Sequence, residues 1–279
     1  MHPSGLVQDL ARHSHALEDY PFACIQDVHL LELARKYNIQ PWQAQVNALE
    51  NQVCPERYIR NYKTMSLEMQ LDLARSRVLV VGAGGLGGYV IELLVRSGAG
   101  RLTVADGDVF ELSNLNRQIL GTSDLTGKPK AEAARQRAMD INPFARVETC
   151  GTYLQPDDLP GLLPGTDLVL DCLGGVEFRQ ELLQAAKDHQ RPLVTGFVAG
   201  NTGLASTVFP GDLSPEAFWQ ADRDQGAEIT LGNVAYTVSM IATLQTREAI
   251  HILTRQAPCL RNRVFLADMH TCSFQSLEL

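Results

Sequence analysis

The residues Gly82-Ala83-Gly84-Gly85-Leu86-Gly87 are the part of this chain whose types and spacing point most directly to chemistry. They follow a β-branched run, Arg77–Val81, and open a helix-forming one, Gly85–Ser97. Glycines Gly82, Gly84, Gly85 and Gly87 allow a tight turn, let backbone approach a phosphate, and pack the helix on the sheet. A helix that starts there aims free N–H groups and its positive dipole end at an anion. Asp106 comes nineteen residues after Gly87, ending the next strand-like run, where a carboxylate can accept hydrogen bonds from ribose hydroxyls. Together these residues read as a nucleotide site, without saying which nucleotide.

Groups further along select among nucleotides. The segment from Asp106 through Asn114, Arg117 and Gln118 is followed closely by Gly127-Lys128-Pro129-Lys130. Hydride transfer has no evident need for such bunched polar and cationic groups, whereas a triphosphate does, because cations oppose charge developing on a leaving pyrophosphate. Asp171 ends a later apolar strand, at the edge where parallel sheets place their ligands, and could hold Mg2+. Singly, Arg117 and Lys130 would be solvated charges and Asp171 a helix cap. Their order and spacing give them weight.

The elements that must position these groups alternate. Strands are expected at Arg77–Val81, Arg101–Ala105, 147–153, Leu168–Asp171, 192–196 and 204–209, with two more closing the chain. Helices are expected at Gly85–Ser97, 129–140, 176–188 and 234–254, with an acidic, turn-rich crossover at 210–228. This order predicts an α/β fold with a Rossmann-like, largely parallel sheet and helices on both faces.

Residues 1–56 form a separate N-terminal tail and small helical appendage in this reading. Residues 1–20 look like a loosely docked or mobile tail. Asp27 can cap a helix to about Tyr37, and Pro41 opens a second one to Gln52. The pair resembles a DNA-reading helix-turn-helix, but its second helix carries no Lys or Arg, so packing is the better reading.

The 279 residues carry 24 basic and 32 acidic side chains, a net −8 that argues against coating nucleic acid. None of the six cysteines forms a C-x-x-C pair, so neither a paired-cysteine zinc site nor a disulfide framework is expected. The apolar stretch 78–95 contains five glycines and Glu92, which favours strand–turn–helix over a membrane span. With no secretory signal at its start, the chain reads as cytoplasmic.

From Arg57 to the end the chain resembles the ThiF/MoeB/HesA proteins, bacterial relatives of ubiquitin-activating enzymes. The residues that carry the resemblance are Arg57-Tyr58-Ile59-Arg60, the Gly82–Gly87 loop, Ser113-Asn114-Leu115-Asn116-Arg117-Gln118, Gly127-Lys128-Pro129-Lys130, Asp171-Cys172 and the closing strand. The resemblance implies an adenylation domain over 57–279 and a homodimeric enzyme. Such an enzyme uses Mg·ATP to adenylate the C-terminal Gly-Gly carboxylate of a small ubiquitin-like sulfur carrier, in molybdopterin, tungsten-pterin or thiamine synthesis.

By position, the resemblance gives Gly82, Gly84, Gly85 and Gly87 the phosphates and Asp106 the ribose. Asn114, Arg117, Gln118 and Lys130 would grip the triphosphate, and Asp171 the metal. Arg60 would reach the ATP of the neighbouring subunit, so Arg60, Arg117, Lys130 and Asp171 form the implied catalytic set. Three departures accompany it. The two C-x-x-C pairs of many members are missing, which implies a zinc-less branch. Leu173-Gly174-Gly175 stands where Thr or Ser followed by Asp-Asn is common, which bears on carrier choice and turnover. The 210–228 crossover has no cysteine for covalent sulfur transfer, and Cys172 reads as buried packing. The alternatives are an ATP-dependent tRNA-base dehydratase, a nucleotide-binding scaffold without turnover, and an NAD-dependent oxidoreductase.

Overall fold

In a computed structural model, which describes residues 4–176, 178–215 and 227–279, the chain enters through helix α1 (Ser4–His13). Strands β1 (His15–Ala16) and β2 (Ala23–Ile25), helices α2 (Asp27–Lys36) and α3 (Pro41–Glu50), and strand β3 (Val53–Pro55) complete an N-terminal module. Within the span expected to be a loose or mobile tail, residues 1–20, the described segment Ser4–His13 is instead a docked helix. Leu6 and Leu10, one helical turn apart, are fully buried among Leu30, Leu33 and Ala48. Between them Asp9 accepts hydrogen bonds from Lys36 Nζ (2.5 Å) and the Tyr37 hydroxyl (2.7 Å). Two leucines in a short polar run are a weak periodic signal, and the partners that make them count lie on other elements.

The expected helix pair is present as α2 and α3, and α3 buries every residue from Ala44 to Leu49. A helix enclosed in that way cannot lie in a nucleic-acid groove, so packing is its role. Arg57 and Tyr58 bolt the module to the main body. Arg57 pairs with Asp27 and donates to the Ile141 carbonyl at 3.0 Å. Buried Tyr58 donates to Gln45 Oε1 at 2.8 Å and accepts from Asn142 Nδ2 at 2.8 Å. The small three-stranded sheet and the next helix, α4 (Leu67–Arg75), were not anticipated, because strands of two or three residues carry no usable alternation.

The main body runs through β4 (Arg77–Val81), α5 (Gly85–Ser97), β5 (Arg101–Ala105), α6 (Lys130–Ile141) and β6 (Arg146–Cys150). Then come α7 (Leu159–Leu162), β7 (Leu168–Asp171), α8 (Arg179–Asp188), β8 (Leu193–Ala199) and β9 (Thr202–Val208). Helices α9 (Ala227–Leu231) and α10 (Ala235–Leu253) and strands β10 (Arg263–Asp268) and β11 (Ser273–Glu278) close the chain. The 210–228 crossover lies for the most part outside the described residues.

These strands form an eight-stranded sheet ordered β11-β10-β9-β8-β7-β4-β5-β6. The run from β8 to β6 is parallel, and β9, β10 and β11 add antiparallel pairings at the other edge. Alternation along β4 splits the core into two layers. Val78 and Val80 face α5, α6 and α10, while Leu79 and Val81 face α7 and α8. The α/β reading with helices on both faces therefore holds. Two boundaries differ in ways that shape the site. Strand β6 stops at Cys150 rather than 153, which frees residues 152–154 to line the cleft. Helix α8 starts at Arg179 rather than 176, because residues 173–175 form a turn tied to that arginine.

Candidate nucleotide site

A cleft of about 680 Å³ opens at the carboxyl ends of β4, β5 and β7. Of the residues expected to bind nucleotide, Gly82, Gly84, Gly85, Asp106, Asn114, Arg117, Gln118 and Lys130 all line it. Gly82 takes φ +96°, a left-handed conformation that favours glycine. Gly87 lies behind the loop rather than in the cleft wall. A Cβ there would sit 1.8 Å from the Gly82 carbonyl oxygen, so its role is to let the helix close on the strand. Asp106 braces the loop, accepting from the Ala83 amide at 2.6 Å and the Asp108 amide at 2.8 Å.

The cationic side is uneven. Lys130, the first residue of α6, is buried and donates from Nζ to Asp108 Oδ2 at 3.0 Å. Arg117 is half-buried and donates to the Ser113 carbonyl at 3.0 Å and Asn116 Oδ1 at 2.8 Å, so it is held by its own turn rather than by an acid of the cleft. Buried Asn114 holds its own turn, accepting from the Glu111 amide at 3.2 Å. Gln118 is buried with its Oε1 unpartnered, and its Nε2 is the atom nearest Gly84, 3.5 Å from where a Cβ there would sit. Arg60 is exposed on a 3-10 turn, Glu56–Asn61, outside the lining of its own chain's cleft.

At the end of β7, Asp171 is enclosed. Its Oδ2 accepts from Arg179 Nη1 at 2.5 Å and Thr195 Oγ1 at 2.6 Å, and its Oδ1 from the Leu173 amide at 3.2 Å. Arg179 also donates to the carbonyls of Gly175 (2.7 Å) and Leu173 (2.5 Å), so one guanidinium fixes both the acid and the Leu173-Gly174-Gly175 turn. A Cβ at Gly174 would meet nothing within 4 Å, so this departure leaves that wall of the cleft open. Burial, and then the charge of Asp171, push the Cys172 thiol well above its usual range, so Cys172 packs as a thiol and is no nucleophile.

No group of three or more His, Cys, Asp or Glu placed to hold a metal occurs among the described residues. Magnesium commonly takes one or two carboxylates and fills its other positions with phosphate oxygens and water. Asp171 offers one carboxylate, so its donor type suits such an ion. Access would require Arg179 to give up Oδ2, because the Asp171 side chain is 2% exposed.

Sequence reasoning missed Asp108, Tyr153, Thr195 and Arg179. Asp108 could have been noticed two residues beyond Asp106. Nothing local marks Thr195 or Arg179, which meet Asp171 only through the register of β7 and β8 and the turn between β7 and α8.

A glycine loop on a helix N-terminus, a bracing acid on the adjacent strand and a buried lysine thus meet in one cleft of an α/β protein, an arrangement suited to a phosphate-bearing ligand. More particularly, the ThiF family pattern matches residues 57–279, and the chain belongs to that family. It is 32% identical to the molybdopterin-synthase adenylyltransferase of Salmonella typhimurium over 76% of this chain and 86% of that protein. It is likewise 32% identical to the vegetative HesA protein of Trichormus variabilis, over 74% and 78%. Among solved structures, E. coli MccB with ATP superposes with a TM-score of 0.68 at 20% identity, covering 80% of this chain and 70% of that one. PaaA superposes with a TM-score of 0.66 at 22% identity, over 88% and 73%. No helix among the described residues is long and apolar enough to cross a membrane.

Proposed function

We propose that this protein is a cytoplasmic adenylyltransferase that uses Mg·ATP to activate the C-terminal glycine carboxylate of a small ubiquitin-like sulfur carrier. The observation that carries the reading is the juxtaposition, in one cleft, of the glycine loop, Asp106 and buried Lys130. The adenylyltransferase name of the Salmonella relative and the ATP that accompanies MccB in its solved structure support it.

In this reading the loop amides and Lys130 hold the triphosphate, Asp106 the ribose, and Asn114, Arg117 and Gln118 the cleft side of the phosphates. The carrier carboxylate attacks the α-phosphorus, a mixed acyl–phosphate anhydride forms, and pyrophosphate leaves. The attacking carboxylate is already ionised, so positioning and cationic stabilisation suffice and no general base is required. Asp171 would be the protein ligand of magnesium if Arg179 gave up its oxygen, and the bound ion would supply positive charge against the pyrophosphate. Arg60, outside its own cleft, serves the cleft of a second copy in a homodimer. Residues 57–279 form the adenylation domain, and residues 1–56 are an appendage docked on it.

The test is ATP–pyrophosphate exchange with a panel of small carriers ending in Gly-Gly. Exchange with one carrier, lost on removing its terminal glycine, is the expected result. Mg·ATP binding without exchange for any carrier would overturn the carrier assignment, and absence of ATP binding would overturn the nucleotide reading.

A further inference from the structure

Asp108 is the meeting point of two cleft side chains. Its Oδ2 accepts from Lys130 Nζ at 3.0 Å, and its Oδ1 accepts from the Tyr153 hydroxyl. Burial alone would raise this carboxyl, but the hydrogen bonds from Tyr153 and Lys130 together hold it below its ordinary value, so it stays an acceptor for both.

Across the sheet, the strand ends run in the order β4, β5, β6, and so bring up the glycine loop, then Asp106, then the 151–154 turn that carries Tyr153. Phosphate, ribose and base succeed one another in the same order along a nucleotide. A nucleotide whose phosphates rest on the loop and whose ribose meets Asp106 therefore brings its base to Tyr153. The ring is 66% exposed, yet it is fixed at both ends. Its hydroxyl is tied to Asp108, and its backbone lies against Gly107, where a Cβ would sit 2.5 Å from the Tyr153 nitrogen. A ring held still beside a ribose site offers a stacking face, for which any base has a matching π-face.

We propose that Tyr153 is the base-stacking platform of this nucleotide site and that Asp108 is its positioning residue, fixing the ring with one oxygen and Lys130 with the other. The inference rests on the nucleotide reading above and adds a base-recognition residue to it. One carboxylate thereby ties the grip on the base to the grip on the phosphates.

The test is calorimetric titration of the full chain with ATP and with inorganic tripolyphosphate, both with magnesium. Tyr153→Ala should weaken ATP binding about 5- to 150-fold, the range of base–aromatic stacking, and leave tripolyphosphate within about twofold. Because the side chain is exposed, the variant should fold. Tyr153→Trp should restore ATP binding. Tyr153→Phe, which keeps the ring but frees it, should weaken ATP by about 2- to 10-fold through the entropy of re-ordering it. Unchanged ATP affinity in Tyr153→Ala, or equal loss of both ligands, overturns the platform. Failure of the wild-type protein to bind ATP overturns the nucleotide reading and takes the platform with it.

Discussion

Arg179 donates from Nη1 to Asp171 Oδ2 at 2.5 Å, and neither side chain is more than 2% exposed. Thr195 bridges the pair, donating to Asp171 at 2.6 Å and accepting from Arg179 at 3.1 Å. A buried charge left without its partner is costly, while replacing both members by neutral groups can be nearly neutral. Arg179→Met should therefore lower stability by about 3–5 kcal/mol, and Asp171→Asn combined with Arg179→Met by clearly less than the sum of the single changes. Urea unfolding of the three variants measures the coupling. Additive losses would mean that the pair does not act as a unit.

The close approach of Gly87 to Gly82 makes a second prediction about the loop. A methyl group at Gly87 must displace the Gly82 carbonyl, which faces it at 1.8 Å, and with it the start of α5. Gly87→Ala should cost about 1–3 kcal/mol of stability, the usual range for overpacking. It should also abolish the rise in melting temperature expected of the wild-type protein when Mg·ATP is added. If the variant keeps the full ATP-induced rise, the phosphates do not rest on this loop.

Much of this was legible from the residues. The bounds of β4, α5 and β5 matched because β-branched runs stand next to glycine punctuation, a local signal. Eight of the expected site residues line one cleft because they sit at or just after strand ends, where a parallel sheet gathers them. What was not legible depends on distant partners. Leu6 and Leu10 look unremarkable until α2 and α3 cover them, and Arg179 looks like a surface cation until β8 brings Thr195 beside Asp171. The strand end at Cys150 was overrun because Thr152 and Tyr153 have good strand propensity, while their use as a cleft wall is a tertiary fact.

The docking of α1 carries a pH dependence. Hydrogen bonds from Lys36 and then Tyr37 hold the Asp9 carboxyl at about 2, below its ordinary value of 3.8. The unfolded chain therefore binds the proton more readily than the folded one, and stability falls as pH falls. The contribution is complete above the ordinary carboxyl range and is lost as the pH drops towards about 2. Asp9→Asn should start less stable at neutral pH and show a shallower loss of urea midpoint between about pH 5 and pH 2. Equal acid sensitivity in the two proteins would assign that loss to other carboxylates.

Arg60 tests whether the site is built from two chains. It is exposed on the Glu56–Asn61 turn, and its own cleft is lined without it. If it completes the cleft of a second copy, Arg60→Ala and Lys130→Met should each lose pyrophosphate exchange alone, yet activity should return when they are mixed and allowed to exchange subunits. Each mixed dimer then holds one cleft with its own Lys130 and a neighbour's intact Arg60, and one cleft with neither. With random re-pairing, half of the dimers are mixed and each has one working site of two, so recovery should approach about a quarter of wild-type exchange for a two-fold symmetric pair. An arginine acting within its own chain gives no recovery at any mixing ratio, because no single subunit then carries both groups.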